Sequence, residues 1–229
     1  MTDLKSRLPL VCLITDRRKL GPTGDDLRSG KLTGFLEHAL TCGIDLVQLR
    51  EPDLSAREVF HLTRTIVDLA GYYDCSVLVN DRADIAVACG AGVHLTTRSL
   101  RPAVVRRMFG NELLMGVSTH NVTEVEEARS AGADFVVFGP VFETDSKKSY
   151  GPPVGLPSLE EVTRRFDIPV LALGGINEAN FAEALTAGAA GIAGISIFTG
   201  SDDLAALVSR VKKAPNTSTR PLERELSQE

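Results

Sequence analysis

Eight times along the chain a short apolar, often β-branched run is followed by a longer amphipathic stretch, and this alternation limits the fold more than any other feature. Such runs read as buried parallel strands, and the stretches between them as crossover helices. The strand cores are expected at 10–14, 45–49, 77–80, 92–95, 113–117, 135–138, 169–173 and 191–195. Four similar segments, TCGIDLVQL, ACGAGVHL, SAGADFVVFG and TAGAAGIAGIS, set Gly43, Gly90, Gly132 and Gly188 between a helical run and the next strand, where a helix C-cap is expected. Right-handed crossovers leave two architectures for eight such units, a closed barrel or an open doubly wound sheet. No GxGxxG opens a helix after the first strand, and eight units within 229 residues suit closure. The expected fold class is therefore α/β, a single (β/α)8 TIM barrel over residues 1–213, with a polar, charged tail at 214–229 that is disordered or an appended arm.

A hydrophobic fraction of 43% supports one large core, and a net charge of −5 argues against attraction to nucleic acid or anionic membrane. No run approaches the roughly 20 apolar residues that span a bilayer, and the opening MTDLKSRLPLVCLITD has no signal-peptide cleavage pattern, so a cytoplasmic protein with a small-molecule partner is expected. Cys12, Cys42, Cys75 and Cys89 lack metal-ligand spacing and read as reduced, mostly buried thiols.

In a barrel the chemistry sits where strands end. The polar residues there are Thr15, Asp16 and Arg17; Gln48, Arg50 and Glu51; Asn80, Asp81 and Arg82; His94 and Thr96; Ser118 and His120; and Thr144, Ser146 and Lys147. After the seventh and eighth strands stand Gly174, Gly175, Ile195 and Ser196, where loops commonly cradle phosphate through backbone N–H groups. Arg50, Asn80, Arg82 and Lys147 would bring donors and positive charge to one rim, suited to a second anion such as a diphosphate. His120 can carry a proton both ways near neutral pH and is the leading acid/base candidate, with helix capping as its bland alternative. His94 reads equally as core, and His38 and His61 as structural. The segment 145–153 has the lysines, glycine and prolines of a lid.

On these residues the chain resembles the thiamine phosphate synthase and thiazole tautomerase superfamily. The carrying segments are LITD (13–16), VQLRE (47–51), VNDRADIA (79–86), GVSTH (116–120), GADFVVFGPVFETDSKK (132–148) and ALGGI (172–176), in order at successive strand ends. For a synthase, the resemblance implies that a pyrimidine methyl diphosphate loses diphosphate with Mg²⁺ help and is captured by the nitrogen of a thiazole phosphate. Arg50, Asn80, Ser118 and Lys147 would then hold diphosphate, and Asp81 would bind Mg²⁺. Gly174, Gly175, Ile195 and Ser196 would hold the thiazole phosphate, with Thr144 and Ser146 lining the space between. A tautomerase would move a proton on the thiazole carboxylate phosphate and need no metal. Monomer and homodimer both stay open.

Two departures fall on the diphosphate chemistry. QLREPD puts Pro52 where the synthase pattern has a lysine, and LTTRSL at 95–100 lacks the aspartate that serves as second metal ligand, leaving Glu51 or Asp53 as substitutes. GVSTH and Pro140 pull back toward the synthase. The balance leans to tautomerase-like proton transfer by His120, with the Mg²⁺-dependent synthase as the alternative and a non-catalytic ligand-binding barrel as the third reading.

Overall fold

The computed structural model describes residues 4–21, 30–144 and 152–215. The strands are β1 (Leu10–Ile14), β2 (Leu46–Leu49), β3 (Ser76–Asn80), β4 (Gly92–Leu95), β5 (Met115–Thr119), β6 (Phe135–Phe138), β7 (Val170–Leu173) and β8 (Gly191–Gly194). Each pairs in parallel with the next, and β8 returns to β1, closing the expected (β/α)8 barrel. Around it lie α1 (Lys31–Thr41), α2 (Ala56–Ala70), α3 (Ala83–Cys89), α4 (Pro102–Phe109), α5 (Val122–Ser130), α6 (Gly155–Arg165), α7 (Phe181–Thr186), α8 (Ser196–Thr199) and α9 (Leu204–Lys213). No helix among the described residues is long and apolar enough to cross a membrane. The expected tail lies, after its first two residues, outside the described residues.

Local signals start the helices where the sequence suggests. Ser55 accepts from the Glu58 N–H while Glu58 answers the Ser55 N–H, a capping box that opens α2. Pro102 opens α4, where its missing N–H costs nothing. The four punctuating glycines all have positive φ, as a helix-ending turn demands.

Strand alternation splits the core into two shells. Val11, Leu13, Val47, Val79, Val93, Val117 and Val136 face the helices, while Leu10, Cys12, Leu46, Leu78, Phe135 and Leu171 fill the barrel. A Cβ at Gly116 would come within 2.3 Å of the Phe135 ring, so the large side chain from β6 dictates the small residue on β5. β5 runs two residues later than expected, because Leu113 and Leu114 are spent on the turn below the barrel and the ladder with β6 continues through Thr119. Ser118 is thus inside the strand. Of the four free cysteines, Cys12 and Cys89 are buried as expected, but Cys42 and Cys75 are only partly covered.

Candidate active site

The inward residues turn polar at the C-terminal ends of β2 to β5: Gln48, Asn80, His94 and Ser118. Ladder register sets Asn80 beside His94, and His94 Nε2 lies 2.8 Å from Ser118 Oγ. The imidazole, expected equally as core, is thus a buried part of the mouth. Burial pushes its pKa down to about 3, and the charge of Arg50 adds to the shift. A histidine whose folded pKa lies below its unfolded value near 6.5 contributes its full stability above pH 6.5 and loses it as pH falls toward 3. Stability should therefore drop by up to about 1.4 kcal/mol per pH unit below that point. Denaturant titrations at pH 6.5 and 4.5 should show a smaller drop in His94→Gln than in wild type.

Asp81 follows β3 with φ 69°, the one described non-glycine residue with positive φ. Its N–H donates to the His94 carbonyl at 2.8 Å, which holds the conformation. A left-handed aspartate costs on the order of 1 kcal/mol, and such strain concentrates at working sites.

Across the mouth, loops six and seven form one body. Val141 N–H donates to Leu173 O at 2.8 Å and Phe142 N–H to Gly174 O at 3.0 Å. Successive strand carbonyls normally point to opposite sides, but φ of +94° at Gly174 turns both toward loop six. In a trans peptide the N–H opposes the C=O, so the N–H groups of Gly174 and Gly175 both face the loop-eight side. Consecutive amides aimed one way make an anion nest. Asn180 Nδ2 donates to Gly175 O at 2.9 Å, and its Oδ1 accepts from Asn177 N, pinning the same loop. Ile195 is half-buried, and Ser196 is the exposed first residue of α8. Thr144 ends the described part of loop six, and Ser146, Lys147 and most of the expected lid lie outside the described residues.

His120 follows β5 with its side chain 40% exposed. Its N–H and Nδ1 both meet Glu124 Oε2, at 2.8 and 2.9 Å. The carboxylate fixes the Nδ1–H tautomer and leaves Nε2 as the acceptor. Asn121, not His120, caps α5.

Ion pairs that spacing could not reveal engage three of the expected site residues. Arg82 is bound by both oxygens of Asp84, 2.5 and 2.9 Å away, and is not an unpaired rim cation. Glu51 and Asp53, the substitute metal ligands, are both taken by Arg17. Among the described residues no group of three metal-ligating side chains exists. Arg17 was one of several polar residues at strand ends; its pairing partners, and the roles of Glu124 and Asn180, appear only in three dimensions. A cavity of about 710 Å³ opens at the other end of the barrel, where β3 and β4 begin, away from every strand terminus that carries these groups.

Residues 11–198 match the thiamine monophosphate synthase family. The chain belongs to that family. A putative thiamine-phosphate synthase of Geobacter sulfurreducens is 47% identical over 83% of this chain and 87% of its own length. The thiamine-phosphate synthase of Roseiflexus sp. is 40% identical over 85% and 80%. In three dimensions a thiamine phosphate pyrophosphorylase from Pyrococcus furiosus superposes with a TM-score of 0.79 at 32% identity, covering 93% of this chain and 97% of that one. Members of the thiamine monophosphate synthase family are enzymes, which removes the ligand-binding-only reading. The relatives' names favour the synthase, and the lean to a tautomerase finds no support among them.

Proposed function

We propose that the protein is a thiamine phosphate synthase, joining a hydroxymethylpyrimidine diphosphate to a thiazole phosphate with release of diphosphate. The observation that supports this reading is that donors suited to anions gather at two separate ends of the mouth, the turned amides of Gly174 and Gly175 at one and Asn80 and Ser118 beside His94, with Arg50, at the other. An isomerase acting on one phosphorylated thiazole would use only the first.

At the second end Arg50 brings a permanent charge, while Asn80 and Ser118 add donors beside a neutral imidazole. These groups stabilise the charge that collects on diphosphate as its bond to the pyrimidine methylene carbon breaks. The amides of Gly174 and Gly175, with Ser196, hold the thiazole phosphate so that its ring nitrogen faces that carbon and forms the new C–N bond. Thr144 lines the space between. His94 and Gln48 present polar atoms from the barrel wall to the pyrimidine.

The donor set fits Mg²⁺ held in the one-carboxylate manner, with Asp81 as the protein ligand and substrate oxygens completing the shell. When bound, the cation would neutralise the departing diphosphate. Purified protein given both substrates and magnesium should form thiamine phosphate, with chelator abolishing it and Asp81→Ala lowering the rate about a hundredfold or more. No product with both substrates and millimolar magnesium would refute the assignment. The His120–Glu124 pair gives the tautomerase one specific observation in its favour. On the synthase reading, His120→Ala should leave most of the turnover intact.

A further inference from the structure

β2 ends at Leu49, so no ladder holds the backbone from Arg50 to Asp53. Two tethers replace it. The Arg50 N–H donates to Thr15 Oγ1 at 3.0 Å, and on the next residue the Glu51 carboxylate accepts from the Arg17 N–H at 3.1 Å and from Arg17 Nη1 at 3.0 Å. Arg17 closes the knot by gripping both oxygens of Asp53, at 2.8 and 2.6 Å. The Arg17 side chain is 6% exposed and that of Glu51 not at all. A buried ion pair that loses one partner leaves the other charge uncompensated, which is strongly destabilising.

We propose that Arg17, clamped between Glu51 and Asp53, is a positioning residue that fixes the aim of Arg50 at the diphosphate end of the mouth. This rests on the synthase reading of that end. Without the guanidinium, Glu51 and Asp53 lose their shared counter-charge and the side-chain part of the tether that shapes residues 50–53 is gone, leaving only the bonds from the Arg17 and Arg50 N–H groups. Pro52, between the two carboxylates, has no N–H with which to make a replacement bond. The turn Arg17–Leu20 packs against α8, but none of these hydrogen bonds involves Gly174, Gly175 or Ser196, so the effect should fall mainly on one substrate.

Arg17→Met is the test, read by calorimetric titration with inorganic diphosphate plus magnesium and by separate KM values for the two substrates. The diphosphate Kd and the KM for the pyrimidine diphosphate should each rise about tenfold or more, with the KM for thiazole phosphate within about twofold of wild type. Arg17→Lys, which keeps the charge and part of the bonding, should recover some of the loss. If Arg17→Met does not fold, Asp53→Asn cuts only the outer, half-exposed arm and should give the same one-sided rise, about threefold. Equal rises in both KM values, or an unchanged diphosphate Kd, would reduce the knot to a structural brace and overturn the proposal. A wild type that makes no thiamine phosphate, yet binds diphosphate with this dependence on Arg17, would refute the synthase reading and uphold the positioning role.

Discussion

Gly175→Ala should lower kcat/KM for thiazole phosphate about a hundredfold while the barrel stays folded. Two costs combine there. At φ +67° an alanine is strained, and its Cβ would stand 2.4 Å from the Glu143 carbonyl oxygen and 2.7 Å from Phe142 Cβ. The carbonyl is backbone and cannot swing aside as a side chain would. Loop seven must therefore lift away from loop six or turn its amides off the anion. Positional errors of about 1 Å in such a grip cost on the order of a hundredfold. Gly90→Ala separates the two terms, because Gly90 has φ +71° but nothing within 4 Å of its would-be Cβ. That variant should lose about 1 kcal/mol of stability and keep its KM values. A wild-type KM for thiazole phosphate in Gly175→Ala would mean the nest is not where the phosphate sits.

Asp45→Ala should remove about 3–5 kcal/mol of folding stability, a large share of the roughly 5–15 kcal/mol typical of a domain. Asp45 lies just before β2, and its side chain is 3% exposed. One oxygen accepts from the Val11 N–H at 2.7 Å, and the other from Arg7 at 3.0 Å and Lys212 at 2.7 Å. The carboxylate thus binds together the segment before β1, the barrel itself and α9, at positions 167 residues apart. Alanine would leave two partly buried cations facing each other and a strand N–H without its acceptor. Thermal unfolding should shift down by about 10 °C, at the 2–4 °C per kcal/mol expected for a chain of this size. A change under about 1 kcal/mol would show that α9 is held by its apolar face alone.

The barrel was legible because its determinants are local and repeated. Period-two runs, helix punctuation and the handedness of crossovers act over a few tens of residues, and eight repetitions leave little choice of topology. The β5 boundary shifted because Leu113 and Leu114 satisfy the apolar pattern equally well as turn residues below the barrel. The tight turn at Gly174 and Gly175 was legible for the same reason, since a glycine pair directly after a strand marks backbone that needs positive φ.

Partnership was not legible. Arg82, Glu51 and Asp53 read alike as charged residues at strand ends, yet one is tied to its own helix and the other two to Arg17, 34 and 36 residues away. His94 fits a core position or a site position until Ser118 is found 2.8 Å from it. What the order of residues determined by itself was the closed barrel and the family to which the chain belongs, because these follow from periodicity and short motifs. What only the tertiary structure decided was which charges stand exposed at the mouth and which cancel one another, because that depends on ångström distances between loops brought together by barrel closure.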